Sequence, residues 1–223
     1  IDNVSWSSSV RKVVFGFGFN QPIAGATWPQ HLQGLAFGSY FNQRIDQTSL
    51  PPGLQTLTFG SSFNQPFANV MWPPSLKRLD IGSGAGPQGV FDQPLDGVVW
   101  PECLEELFLS KTFNQRIVNV AWPELLEGLY LEGAFNQPIA NVRWPRSLKH
   151  LAFGGWEFDQ PLGGIMWPES LEELTIVEKL NQPTANVVWP SSLKRLGSAI
   201  CGVSMRCSIN RWMKWYGQSA WRS

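Results

Sequence analysis

Apolar residues return along this chain in a fixed order. The segment Leu32-x-x-Leu35-x-Phe37 reappears as Leu54/Leu57/Phe59, Leu76/Leu79/Ile81, Leu104/Leu107/Leu109, Leu126/Leu129/Leu131, Leu148/Leu151/Phe153 and Leu171/Leu174/Ile176. Apolar and polar positions alternate at the end of each copy, which predicts a short strand with one buried face. The copies lie about 22 residues apart, and self-similarity at that period signals a repeat architecture in which each unit buries its apolar face against the next. A second apolar column follows each strand: Phe19, Phe41, Phe63, Phe91, Phe113, Phe135 and Phe158. An Asn or Asp and then a Gln come after each Phe, with the Gln column running from Gln21 to Gln182. Stacked amides of this kind form ladders that satisfy the turn backbone, which has no strand partner. A Trp-Pro pair closes the unit at Trp28, Trp72, Trp100, Trp122, Trp144, Trp167 and Trp189, with degenerate copies at Trp6 and Leu50.

Strands that recur once per unit with no room for a long crossover predict a β-solenoid of leucine-rich-repeat type. Its parallel concave sheet of short strands is backed by an extended or turn-rich convex side with little helix. Proline in each Trp-Pro, and after many of the Gln residues (Pro22, Pro66, Pro94, Pro138), removes donors and holds the convex backbone extended. Gly38, Gly60, Gly82 and Gly154 stand at the strand exits, where a glycine frees the chain to turn. Nine units fill residues 1–197, with a Gly-rich insertion at 82–90. Residues 198–223 break the pattern and read as a capping segment, with a short helix between Ser208 and Gly217.

Composition adds little once the repeat is subtracted. The 12 Trp, 17 Pro and 21 Gly mostly occupy repeat positions, so they belong to an ordered array and not to low complexity. Lys plus Arg and Asp plus Glu balance at 17 each, which gives the whole molecule no pull toward nucleic acid. The charged residues after Gly197 are all basic: Arg206, Arg211, Lys214 and Arg222. No apolar run approaches the roughly 18 residues that a membrane-spanning helix needs. Cys201 and Cys207 are close enough in sequence to pair or to remain buried thiols, and Asn3 begins a glycosylation sequon that matters only if the protein is secreted.

Phe63-Asn64-Gln65-Pro66 and Phe135-Asn136-Gln137-Pro138-Ile139, joined to Trp-Pro-x-Ser-Leu-Lys-x-Leu-x-Phe-Gly, resemble the FNIP repeat, a relative of the leucine-rich repeat of similar length. The resemblance covers about residues 6–197. Trp before Pro departs from the more usual aliphatic residue, which affects the convex packing and not the fold. A weaker likeness, through Phe-Asn-Gln-Pro-Ile alone, points to BspA-type surface repeats. What the FNIP resemblance implies is a protein-interaction module, found in some members beside F-box or kinase domains, mainly in protists and large DNA viruses. It favours the cytoplasm, with a secreted or surface location left open.

The outward strand positions read as columns. One runs Arg11, Gln33, Gln55, Lys77, Glu105, Glu127, Lys149, Glu172, Lys194; the next runs Lys12, Gly34, Thr56, Arg78, Glu106, Gly128, His150, Glu173, Arg195. Opposite charges mostly face each other across these columns and neutralise one another. The exception is the neighbouring like pair Glu105 and Glu127, with Glu106 alongside and Glu132 at the next strand exit. A third outward column is small or polar except at Phe108 and Tyr130, expected side by side and exposed. Adjacent exposed aromatics rimmed by carboxylates match an interface hot spot. The expected binding residues are therefore Phe108, Tyr130, Glu105, Glu106, Glu127, Glu132 and His150, facing a partner segment with a basic or apolar anchor.

Catalysis calls for convergent acid, base or nucleophile in a pocket. His31 and His150 fall in separate units, Cys103 has no His near it in the repeat frame, and the glutamates lack a hard-metal cluster. The chain is expected to be a non-catalytic protein-binding module, with no cofactor, no metal and no catalytic residues. A structural subunit of a larger assembly and a cell-surface carbohydrate or adhesion module are the alternatives.

Overall fold

The computed structural model describes residues 4–82, 89–155, 157–176, 182–184 and 186–197. The capping segment expected over 198–223, the Cys201–Cys207 pair, Asn3 and most of the Gly-rich insertion lie outside the described residues. The strands are β1 (Lys12–Val14), β2 (Gly34–Ala36), β3 (Thr56–Phe59), β4 (Arg78–Ile81), β5 (Glu106–Leu109), β6 (Gly128–Glu132), β7 (His150–Gly154), β8 (Glu173–Ile176) and β9 (Arg195–Gly197). They form one parallel sheet in strict sequence order. The register follows the repeat: Lys12 pairs with Gly34, Gly34 with Thr56, Thr56 with Arg78, and so on to Glu173 with Arg195. Among the described residues there is no helix.

Each coil turns its corners by hydrogen-bonded turns, as expected of a turn-rich convex side. A first turn leaves the strand, as in Phe41 N–H to Gly38 O. A second crosses the Ile-x-Asn-Val stretch, as in Val70 N–H to Phe67 O, and a third opens at each proline, as in Leu32 N–H to Pro29 O. In four coils the second turn passes through the left-handed region, at Gly25, Asn69, Gly97 and Gly164 with φ of 81°, 64°, 75° and 76°, whereas Gln47, Asn119 and Asn141 fill the same position without it. Proline here starts a turn, where its fixed φ helps.

The strand-exit glycines also have a different cause from the one expected. Gly38 and Gly60 do not adopt positive φ, although Gly82 does, at 73°. A Cβ at Gly38 would lie 2.1 Å from the carbonyl oxygen of Gly16, and one at Gly60 would lie 2.2 Å from that of Gly38. Glycine is required there because successive coils touch backbone to backbone. Ser110 replaces it at the coil after the insertion, where its hydroxyl donates to Phe91 O at 2.8 Å.

The core is a set of columns. Leu32, Leu54, Leu76, Leu104, Leu126, Leu148 and Leu171 are fully buried, as are Leu35, Leu57, Leu79, Leu107, Leu129, Leu151 and Leu174 within 2%, each worth about 1.5–3 kcal/mol of transfer free energy. The Phe41 column stacks from coil to coil with ring centroids 6.1–6.3 Å apart. Rings at the strand exits, Phe15, Phe37 and Phe59, are closer, at 5.4 and 5.5 Å, and paired strands are closer still, at about 4.8 Å. The coils fan apart with distance from the sheet, so the sheet lies on the inner, concave curve. The amide ladder forms as expected: Asn64 N–H donates to Asn42 Oδ1 at 2.9 Å, and Gln65 Nε2 donates to the same oxygen at 2.9 Å. Asp92 and Asp159 take the Asn place, accepting from Asn114 N–H at 2.8 Å and from Gln182 Nε2 at 3.1 Å.

Candidate functional site

The concave face is built by the outward residues of β4 to β7. Strand pleating turns Leu79, Leu107, Leu129 and Leu151 into the core and leaves Asp80, Phe108 and Tyr130 partly exposed on the other face, where the next residue of the column, Ala152, is small and buried. Phe108 and Tyr130 are register partners, and their rings lie parallel, 4.2 Å between centroids with 5° between planes. On the far side of Phe108 the Arg78 guanidinium sits 4.1 Å over the ring centroid. The result is a three-layer stack of guanidinium, phenyl and phenol spanning three coils, held by cation–π and aromatic attraction. Both rings are half-buried, less open than the sequence suggested. Gly128 explains part of this: a Cβ there would fall 2.9 Å from Tyr130 Cε2, so the phenol leans over the space a side chain would fill.

The carboxylates around the stack are placed differently from the expected acidic patch. Glu105 accepts from Lys77 Nζ at 2.7 Å and Glu127 from Lys149 Nζ at 2.8 Å. Glu106 is bound by Arg78, which thus pairs with a carboxylate while covering Phe108. The like-charged neighbours Glu105 and Glu127 each turn toward a lysine on the opposite side, because attraction at short range outweighs their mutual repulsion. The Glu105 and Glu127 hydrogen bonds are the main reason the Lys77 and Lys149 amines stay charged above their ordinary range. Glu132 lies in β6, its backbone opposite Gly154. His150 approaches Glu173, Nδ1 to Oε2 3.6 Å, and Glu173 also pairs with Arg195. Beside it Glu172 binds Lys194 at 2.9 Å, chiefly a hydrogen bond that holds its carboxyl below the usual range.

The structure thus brings Phe108, Tyr130, Glu105, Glu106 and Glu127 into one area, and sets His150 with Glu173 one coil on. Sequence reasoning missed Arg78 as part of the stack. Its signal was present, since Arg78 stands one strand before Phe108 in the register, but a guanidinium choosing a ring face as well as a carboxylate is a three-dimensional outcome. Cys103 is half-buried. His31 is exposed on a turn outside the strands. No described helix is long and apolar enough to cross a membrane.

A family model described as FNIP Repeat matches residues 19–62, 41–84 and 135–179. The curated proteins hold no match to the chain. Among solved structures, the chain is similar to CroV588, described as a novel circular leucine-rich-repeat protein, with a TM-score of 0.71 and 30% identity. The match covers 90% of this chain and 32% of that one, so the chain spans about a third of that protein's length.

Proposed function

Because the chain belongs to the FNIP-repeat family and is built as a leucine-rich-repeat solenoid, we propose that it is a non-catalytic module that docks a protein partner on the concave sheet, at the Phe108–Tyr130 stack. Solenoids of this kind are commonly protein-interaction modules; the location on the sheet is our reading. The observation that carries it is the ring pair itself. Two parallel aromatics, braced by Arg78, stand in a column otherwise occupied by Val14, Ala36, Thr58, Asp80, Ala152, Thr175 and Gly197. The core gains nothing from them, since Leu107 and Leu129 fill the buried side of the same strands. Rigid aromatics with few torsions to freeze, ringed by polar groups, are what interface hot spots are made of.

Salt-bridging of Glu105, Glu106 and Glu127 to Lys77, Arg78 and Lys149 shifts the expected partner toward an apolar anchor and away from a basic one. The charged residues, with His150, form the polar rim around that anchor, and Glu132 at the end of β6 is proposed to act with them. The test is quantitative affinity capture from an extract with the chain and with a Phe108→Ala/Tyr130→Ala variant. A stoichiometric partner that is retained by the folded chain and lost by at least about tenfold, or about 1.4 kcal/mol, in the variant supports the assignment. Equal capture by both proteins, with the variant still cooperatively folded, removes the stack from the interface.

A further inference from the structure

Among the described residues, the four most exposed large apolar side chains are Met71, Val99, Met166 and Val188, at 71%, 82%, 86% and 81%. The next, Val14 on the end strand, is 65% exposed. All four hold one position of the repeat, the residue immediately before Trp. Folding does not require apolar residues there, because Thr27 and Ser49 fill the same place in the first coils. Together with Ala121 and Arg143 they form a ribbon along the Trp-side face: Met71, Val99, Ala121, Arg143, Met166, Val188. Aliphatic side chains repeatedly left in water at a single column mark a surface that another molecule covers.

The pitch of the ribbon selects the shape of that molecule. Where the neighbouring Trp rings stack, on either side of the step from Trp122 to Trp144, they are 6.0–6.5 Å apart from coil to coil. An extended strand sets alternate side chains on one face about 6.6 Å apart, and less when twisted. An α-helix repeats its face about every 5.4 Å, and at the stacked spacing it drifts out of register by about 0.8 Å per coil, roughly twice the drift of a strand. Charge selects its chemistry. The Trp stacks run Trp72–Trp100–Trp122 and Trp144–Trp167–Trp189, and a groove of about 780 Å³ opens between the two runs, lined by Trp122, Trp144, Glu124, Arg143 and Arg146. Arg146 shares its repeat position with Glu124 and Glu169 in the coils on either side, whereas the neighbours of Arg143 in its own column are Ala121 and Met166. Arg143 makes no ion pair among the described residues.

We propose that the Trp-side face binds an extended peptide segment that lies along the solenoid axis. Its alternate residues are apolar, apolar, acidic, apolar, apolar, set against Val99, Ala121, Arg143, Met166 and Val188 in turn. This face is separate from the concave sheet, so the two surfaces can be occupied together.

A fluorescein-labelled peptide, Thr-Val-Thr-Val-Thr-Asp-Thr-Val-Thr-Val-Thr-Lys-Lys, titrated with the full chain and followed by anisotropy, tests the assignment. The Asp peptide is expected to bind about tenfold more tightly than the same peptide with Lys for Asp. Arg143→Glu should reverse that preference, and Met166→Asp or Val188→Asp should weaken both peptides without moving the melting temperature. Phe108→Ala should leave binding unchanged. Equal affinity for the two peptides overturns the proposal, as does loss of binding in Phe108→Ala. It is overturned equally if a helical peptide with the same side chains binds better, or if the chain self-associates through a contact that Met166→Asp abolishes while no peptide binds.

Discussion

Replacing Gly60 by alanine tests the claim that coil-to-coil backbone contact, and not turn flexibility, sets the glycine column. The added methyl would lie 2.2 Å from Gly38 O, 2.6 Å from Gly38 C and 2.6 Å from Ser39 Cα. Carbon and oxygen settle at about 3.0 Å or more, so the coils must separate by close to 1 Å at this corner, and all three obstructing atoms belong to backbone that cannot rotate away. The nearest bond between the coils is Ser62 N–H to Ser39 O at 2.8 Å, with Phe63 N–H to Gly60 O at 3.2 Å closing the turn itself. Overpacking costs about 1–3 kcal/mol and each weakened hydrogen bond about 1 kcal/mol more. A destabilisation of about 3 kcal/mol is the expected result. Gly163 is the control: a Cβ there meets nothing within 4 Å and its φ is not positive, so Gly163→Ala should stabilise by about 0.4–1 kcal/mol through the unfolded chain. Urea unfolding followed by both Trp fluorescence and far-ultraviolet circular dichroism measures the difference, and coincident curves confirm that one cooperative transition is compared in each protein. A Gly60→Ala midpoint within error of the Gly163→Ala midpoint would refute the contact argument.

Three further outcomes follow from the ladders and the ion pairs. Asn114 Oδ1 accepts from Asn136 N–H at 2.9 Å and Gln137 Nε2 at 3.1 Å; Asn114→Ala strands a partly buried amide and should cost about 2 kcal/mol in urea unfolding, while Asn114→Asp, which keeps the acceptor as Asp92 does, should cost under half that. Trp122 is buried with an indole N–H that has no acceptor among the described residues; Trp122→Phe removes that donor, so its loss of area is offset and the variant should stay within about 1 kcal/mol of the parent, whereas Trp122→Ala should lose about 3–5 kcal/mol by thermal or urea unfolding. The Glu172 and Asp46 carboxyls titrate below their ordinary range because Lys194 and Arg44 bind the charged forms. Their contribution is complete above the unfolded carboxylate range and fades as pH falls through the lower folded values; in urea midpoints measured from pH 6 down to pH 2, Lys194→Met should flatten this acid arm, and high salt should flatten it in the parent.

The strand order, the register and the buried columns were legible because one period governs them all. Once Leu35, Leu57 and Leu79 are aligned at 22 residues, parallel pairing of neighbours is the only arrangement that buries every copy, and the observed partners Leu35 with Leu57 and Leu57 with Leu79 are those. The Asn-Gln ladder was legible for the same reason. What a period cannot encode is how close two coils come or which of two partners a side chain prefers. Gly38 and Gly60 look identical in sequence to Gly82, yet only Gly82 uses positive φ while the other two yield space to a carbonyl. Glu105 and Glu127 stand side by side in the column, yet each lies closer to a lysine on its other side.

The two candidate surfaces differ in how they depart from the repeat, and that difference explains which one the sequence disclosed. Phe108 and Tyr130 are large residues in a column of small ones, so they stand out when the copies are compared. Met71, Val99, Met166 and Val188 occupy a position where every coil varies among Thr, Ser, Met, Val, Ala and Arg, so no single copy looks unusual. Only their exposure shows that the apolar members are not core, and only the coil spacing of 6.0–6.5 Å shows that they line up at the rise of an extended chain. In a solenoid the core must repeat, since each coil is the template for the next; binding is free to vary from coil to coil. Exposed positions that hold apolar residues the core does not use are therefore where a binding role is to be tested, and the Trp-side ribbon meets that condition at Met71, Val99, Met166 and Val188.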